Sequence, residues 1–300
     1  MQNNGEIMRK IIAILAFVAF AFVANAQLLW KVTGNGAQKP SYVFGTYHLA
    51  PEAFIDSVPG LPQAIDEVSE VWVEVVADSL MSGNVQKMML KEMIAPADST
   101  IDKLVSPEGF NIIDAGVKRY LGAFGVGLKD LKQLKPAALV NQIQVLQSTK
   151  LVKDFKMGNM LDGGVERRVT AAGKPSHGLE SADQQIDILF NYPLQEQAAE
   201  LLDLCKDLDE AERIQKELID AYMKQDLARV EKLFDESNEG DSEERLDEFI
   251  YGRNRNWMAT LVPLMKQKNV IVAVGAAHLC GEKGILALLR KAGYTVEPVK

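Results

Sequence analysis

Histidine and cysteine are scarce in this chain, which has three histidines and two cysteines among its 300 residues. The cysteines, Cys205 and Cys280, could form one disulfide in an exported protein, but neither their spacing nor their context requires it. Several familiar catalytic patterns are missing as well. There is no Gly-x-Ser-x-Gly elbow, no His-Glu-x-x-His, no Walker loop and no Gly-x-Gly-x-x-Gly fingerprint. The sequence therefore gives no support to a serine triad, a zincin, an NTPase or a dinucleotide-binding fold.

An excess of positive charge is also missing, since the formal net charge is −8. This acidic balance disfavours nucleic acid and anionic membrane surfaces as partners. The longest apolar run, Ile11–Ala24, follows Arg9-Lys10 and precedes the small-x-small site Ala24-Asn25-Ala26. Such an arrangement is typical of a signal peptide, and the run is too short to span a bilayer comfortably. We therefore predict a signal peptide over residues 1–26, with Met1 or Met8 as its start, and an exported, periplasmic or secreted protein without a stable membrane anchor.

The rest of the chain alternates strand-length apolar runs with longer helical patterns. The strand-length runs are Ser41–Gly45, Glu70–Val76, Pro175–Leu179, Val270–Gly275 and Tyr294–Val299. Helical spacing covers Asn84–Ile94, Pro107–Leu121, Pro136–Lys150, Leu161–Ala172, Leu194–Asp207, Asp209–Phe234 and Ser242–Gln267. The acidic stretch Asp235–Glu244 predicts a solvated loop. We predict a single α/β domain over residues 27–300, with a parallel or mixed central sheet and a mostly helical insertion at about 80–170 and 186–266.

Two of the three histidines stand in the same short motif, Gly-x-x-His-Leu, behind an apolar run. The motif occurs at Gly45–Leu49 and again at Gly275–Leu279, and each copy is followed by a helical pattern and another strand. This repeat predicts two βαβ halves, which place His48 and His278 beyond the carboxyl ends of parallel strands, where ligands bind in such sheets. The motif glycines would let the backbone turn and leave room for a ligand. The alternative is that each histidine only ends a strand and bonds a loop.

Glu74 lies in the run Val71–Val76, where an unpaired buried charge would cost several kcal/mol. It therefore needs a partner such as a metal ion, an imidazolium or an arginine, unless it is an exposed residue at the strand end. Glu180 could be a second site carboxylate or a charge that complements the following helix dipole. Arg253 could bind a substrate carboxylate or an oxyanion, or form a surface salt bridge. His177 lacks the motif and is expected to be structural or exposed.

These residues support two kinds of hydrolytic chemistry. Two histidines with one or two carboxylates form a usable ligand set for a divalent metal ion, which lowers the pKa of bound water. Without a metal, a histidine oriented by a glutamate could act as a general base on an ester or amide.

The pattern resembles the TraB/GumN family, which is related to the Tiki metalloproteases. The matching elements are Leu29-Trp30-Lys31-Val32, Tyr42 to His48, Val73-Glu74, Leu161-Asp162, Gly173-Lys174-Pro175 with Gly178-Leu179-Glu180, Arg253-Asn254, and Val274 to His278. Tiki-type proteins use paired Gly-x-x-His motifs and a glutamate for peptide hydrolysis that depends on manganese or cobalt. The wider group is similar to the erythromycin esterase and ChaN-like fold, in which comparable positions serve ester hydrolysis or iron and haem binding.

By that resemblance the chain is expected to be an exported metal-dependent hydrolase, a peptidase in particular. The implied catalytic residues are His48, His278, Glu74 and Arg253, and the implied metal ligands are His48, His278, Glu74 and Glu180. The expected cofactor is manganese or cobalt, with zinc as an alternative, and the expected substrate is a peptide or a small ester or amide. The rivals are a metal-free esterase or amidase and a metal- or haem-binding protein without turnover.

Overall fold

A six-stranded mixed sheet forms the centre of the computed structural model, which describes residues 27–152, 161–238 and 242–300. The strands are β1 (Leu29–Gly34), β2 (Ser41–Thr46), β3 (Glu70–Val73), β4 (Ser176–Gly178), β5 (Val270–Gly275) and β6 (Tyr294–Pro298). Their order across the sheet is β4-β3-β5-β2-β1-β6. The predicted signal peptide lies outside the described residues.

The strand directions confirm the predicted α/β class. Strands β4, β3, β5 and β2 are parallel neighbours, whereas β1 is antiparallel to both β2 and β6. It follows that β6 runs in the same direction as β5. Both predicted βαβ units are therefore parallel: β2 leads to β3 through the helix Leu61–Glu67, and β5 leads to β6 through the helix Ile285–Lys291. Each crossover passes at least one intervening strand, and the two units interleave because β5 lies between β2 and β3.

The two central strands carry the core. All six residues of β2 are buried, and β5 is buried from Val270 to Val274. This is typical of parallel strands that are covered on both faces. The sequence patterns missed β1, although Leu29, Trp30 and Val32 are buried. This strand is held by its antiparallel pairing with β2 and β6, which local periodicity does not reveal.

Helices fill the two long connections that follow β3 and β4. Between β3 and β4 the helices are Ala77–Met81, Gly83–Glu92, Ile101–Leu104, Pro107–Leu121, Leu128–Leu131, Pro136–Leu151 and Leu161–Ala171. Between β4 and β5 they are Ala182–Phe190, Leu194–Lys206, Leu208–Met223, Leu227–Ser237, Glu243–Leu246 and Gly252–Gln267. Short 3-10 helices occur at Glu52–Ser57, Gly122–Phe124 and Ala276–Leu279, and a π-helical segment occurs at Asp247–Tyr251. In the part of the chain that the structure describes, no helix combines the length and apolarity needed to cross a membrane.

One helical prediction and one loop prediction were wrong in detail. The pattern Asp209–Phe234 is two helices, because Gln225 has a φ of 61° and the Asp226 side chain caps the second one by accepting the N–H of Arg229. The predicted loop Asp235–Glu244 begins later than expected, since the helix Leu227–Ser237 extends into it. Residues 239–241 of that loop lie outside the described residues.

The helical connections have an apolar core of their own. Ile113, Leu139 and Leu201 are among the buried side chains where three long helices pack together, apart from the core around the sheet. Cys205 lies in this helical core, whereas Cys280 lies in the sheet core, and both are free thiols. The structure therefore has no bond between them.

Candidate functional site

The two motif histidines lie at the same edge of the sheet. Strands β2 and β5 are parallel neighbours whose last paired residues are Thr46 and Gly275. His48 comes two residues after that pair, and His278 lies in the 3-10 helix that follows β5. Both therefore lie beyond the carboxyl ends of adjacent strands, as the repeat in the sequence indicates.

The two motif glycines have different roles in the structure. A Cβ at Gly45 would lie 3.0 Å from Cδ2 of Leu279 and 3.2 Å from Cα of Ala276, so glycine lets the second motif pack against the first. Gly275 has a different task, because its N–H donates to Oε1 of Glu74 over 2.8 Å.

A buried ion cluster joins the remaining sequence-predicted residues around Arg253. One guanidinium nitrogen, Nη2, lies 2.5 Å from Oε2 of Glu74 and 2.5 Å from Oε1 of Glu180. Nε donates to Oε2 of Glu180 over 3.0 Å. The other nitrogen, Nη1, donates to the Phe249 carbonyl over 3.0 Å and lies 3.2 Å from Nε2 of His278. All five N–H groups of the guanidinium are therefore used within the protein.

The two carboxylates differ in how their environment shifts their pKa. The side chains of Glu74 and Glu180 are 11% and 6% exposed. Burial acts to raise the pKa of Glu74, but the charges of His278, Arg253 and His48 and the N–H of Gly275 outweigh it and hold the pKa at about 2. Burial raises the pKa of Glu180, and repulsion from Glu74 adds to this effect. Strand β3 ends at Val73, so Glu74, with its largely buried side chain, lies just past a strand end.

His278 is buried and electrically neutral at neutral pH. Only 3% of the residue is exposed, and its ring centroid lies 4.5 Å from that of Trp257. Burial lowers the pKa of His278 to about 4. Its Nδ1 lies 2.7 Å from Oδ1 of Asn254, a residue that is fully buried. The second motif histidine is thus held on both ring nitrogens.

His48 is in the opposite electrostatic state. Its Nδ1 is hydrogen-bonded to Oδ2 of Asp162, which lies in the first turn of the helix Leu161–Ala171. The charge of Asp162 raises the pKa of His48 to about 9, and Glu74 acts in the same direction. Because 67% of the His48 side chain is exposed, solvent screening limits this effect. His48 and His278 therefore have different charges although their motifs are alike.

A sequence model of the TraB/PrgY/gumN family matches residues 28–298. The chain belongs to this family. The match spans both motifs and every residue of the cluster. Searches of curated proteins and of solved structures gave no significant match.

Two residues that the TraB/PrgY/gumN pattern contains had no role assigned from the sequence. Asp162 and Asn254 were visible only as parts of matching elements, and the structure places each against Nδ1 of a motif histidine. His177, the histidine outside the motifs, stacks on Trp72 with ring centroids 4.8 Å apart and has a 40% exposed side chain. It lies on β4 and takes no part in the cluster, in line with its expected structural or exposed role.

Arg253 lies where a metal ion would have to lie among the ligands that the resemblance to Tiki proteins implies. Its guanidinium is between Glu74, Glu180 and His278, whereas Asp162 is bonded to Nδ1 of His48, so that only Nε2 of that ring could bind a metal. Among the described residues no group of three His, Cys, Asp or Glu side chains is arranged to hold a metal. The types of donor atom nevertheless suit a divalent cation, since His278 is neutral and Glu74 is ionised.

Proposed function

We propose that this TraB/PrgY/gumN protein is a hydrolase of peptide, amide or ester bonds, and that its site lies at the carboxyl edge of the sheet. The observation that carries the proposal is that two motif histidines at one edge of the sheet have different partners on Nδ1, a carboxylate for His48 and an amide for His278. His48 is an exposed imidazolium bonded to Asp162, and His278 is a buried neutral imidazole. Environments that move the pKa values of two titratable groups apart in this way are typical of a general acid and a general base.

The proposed reaction uses these two states. Neutral His278 takes a proton from the attacking water at Nε2, and the resulting hydroxide adds to the substrate carbonyl. The bond to the leaving nitrogen or oxygen breaks as His48 gives that atom its proton. Before His278 can take up this proton, Nη1 of Arg253 must release Nε2 of His278. One N–H of the guanidinium is then free to bond the developing oxyanion. Solvent then returns the proton from His278 to His48.

The proposal predicts how kcat/KM depends on pH. It rises as pH increases through about 4, where His278 loses its proton, and it falls as pH rises through about 9, where His48 loses its own. Replacing Asp162 with asparagine removes the charge that raises the pKa of His48, so the alkaline limb moves towards 6.5. At pH 8 the variant should be less active by at most about 30-fold, because solvent screening of this exposed pair can only reduce the shift. The matched control is Asp56→Asn, which removes the partner of Arg168, a residue on the same helix as Asp162. An unmoved alkaline limb in Asp162→Asn would rule out His48 as the acid.

A second candidate is the metal-dependent peptidase that the resemblance implies. It is favoured by the 3.9 Å distance between Nε2 of His278 and Oε1 of Glu74, because two atoms this close could bind one cation once Arg253 has moved away. In this form His278, Glu74, Glu180 and His48 would hold a manganese, cobalt or zinc ion. The ion would supply a polarised water molecule when bound.

Chelation separates the two candidates. The purified protein is dialysed against a chelator, its metal content is measured, and it is assayed on a peptide library and simple esters before and after manganese, cobalt or zinc is added. Acid–base hydrolysis predicts that activity survives chelation. Activity that is lost and then restored by one of these ions establishes the metal-dependent peptidase instead. Metal or haem binding with no turnover under any condition would show that the protein is a binding protein. We also propose that the protein acts outside the cytoplasm, because the sequence of residues 1–26 is typical of a signal peptide.

A further inference from the structure

The amide of Asn254 has only one orientation that satisfies its neighbours. Its Nδ2 lies 3.2 Å from the carbonyl oxygen of His278 and 3.1 Å from that of Lys283. These two acceptors use both N–H groups of the amide. A flipped amide would place Oδ1 against two carbonyl oxygens inside the protein, which is costly for a fully buried residue. Oδ1 must therefore face Nδ1 of His278, 2.7 Å away.

This orientation decides where the proton on His278 lies. Because Oδ1 of Asn254 can only accept, the ring must carry its hydrogen on Nδ1. On the other side of the ring, Nη1 of Arg253 can only donate, so Nε2 must offer its lone pair. The first motif shows the same arrangement, since Oδ2 of Asp162 faces Nδ1 of His48. In both motifs a polar side chain from a helix outside the βαβ units is bonded to Nδ1.

We infer that Asn254 is a positioning residue: through its Oδ1 it holds His278 as the Nδ1–H tautomer, with the Nε2 lone pair directed at the ion cluster. This role deepens the proposed function, because Nε2 is the atom that takes the proton from water. It also holds for the metal-dependent candidate, in which Nε2 would be the metal-binding atom. The tautomer can be measured without any assay, so a failure of the inference is distinguishable from a failure of the proposed hydrolase activity.

The test is nitrogen NMR of protein labelled with 15N-histidine at neutral pH. With three histidines in the chain, the variants His48→Ala and His177→Ala assign the rings by elimination. In the wild-type protein, His278 is expected to show a protonated Nδ1, an unprotonated Nε2, and a slowly exchanging Nδ1–H proton. A proton on Nε2 overturns the inference. This outcome needs no variant at position 254, so it can be obtained even if those variants fold poorly.

Two variants then separate positioning from simple packing. Asn254→Asp keeps an acceptor oxygen opposite Nδ1, whereas Asn254→Ala removes it, and both lose the amide bonds to His278 and Lys283. The slowly exchanging proton should persist in Asn254→Asp and disappear in Asn254→Ala. Equal behaviour of the two variants would mean that Asn254 only ties the loop to its helix. Asn256→Ala, at an exposed position on the same helix, is the control and should match the wild type.

Discussion

Replacing Arg253 with methionine is expected to lower the free energy of unfolding by about 3–5 kcal/mol, because it leaves two buried carboxylates without their cation. Glu74 and Glu180 would then face each other in a poorly solvated site, since both side chains are at least 89% buried by the exposed fractions of 11% and 6%. Urea unfolding followed by tryptophan fluorescence measures this loss. The deficit should shrink as pH falls towards 4.5, because the carboxylates of the folded variant would take up protons at a higher pH than those of the unfolded chain.

The matched control is Arg255→Met on the same helix. Arg255 forms a two-pronged pair with Asp247, with both N···O distances at 2.6 Å, but both side chains are largely exposed. Its loss should therefore change the unfolding free energy by less than about 1 kcal/mol. In the double variant Arg253→Met/Glu180→Gln, one uncompensated charge is gone, so part of the stability should return. If Arg253→Met is as stable as Arg255→Met, the ion pairs of Arg253 do not make the expected contribution to the unfolding free energy.

Replacing either motif histidine with alanine should lower kcat by about 10²–10⁴-fold, the usual contribution of a positioned acid or base. Since both act in one reaction, His48→Ala, His278→Ala and the double variant should be almost equally inactive. The assay is hydrolysis of whichever peptide or ester the wild-type protein cleaves. Turnover near the wild-type rate in both single variants would remove the histidines from the mechanism.

The third histidine supplies the control for this series. His177 lies outside both motifs, and its half-exposed ring stacks on Trp72. His177→Ala should leave kcat unchanged while it removes the same number of atoms as the other two substitutions. A comparable loss of activity in this variant would mean that histidine truncation acts through general destabilisation.

The two motif variants should nevertheless differ in stability. The sequence places both histidines in loops, where truncation removes few contacts. The structure supports this expectation for His48, whose side chain is 67% exposed, but His278 is 3% exposed and bonded to Asn254. His48→Ala also removes the exposed pair with Asp162 and should therefore lower the unfolding free energy by no more than about 1 kcal/mol. His278→Ala leaves buried polar partners unsatisfied and should cost about 1–3 kcal/mol.

From the sequence alone, the alternation of strand-length apolar runs with helical patterns predicted the class of the fold, and the repeated Gly-x-x-His unit predicted the edge on which both histidines lie. A strand that is buried on both faces is a continuous apolar run, and a parallel crossover needs a helix after the first strand. Both features can therefore be recognised in a short stretch of sequence. Burial of Glu74 followed from its apolar neighbours for the same reason. Strand β1 was missed because its stability comes from pairing with β2 and β6, which are distant in sequence from each other.

Only the tertiary structure decided how these residues are partnered. Arg253 reaches Glu74 across 179 positions of sequence and Glu180 across 73, and no local pattern relates these residues. Asp162 and Asn254 likewise meet their histidines from separate helices. The partner of each imidazole ring affects its charge. A carboxylate against Nδ1 favours the cationic form of His48, whereas burial against an amide favours the neutral form of His278. The sequence by itself determined the residue types and the shared edge, and the packing of helices onto that edge determined the protonation state of each residue.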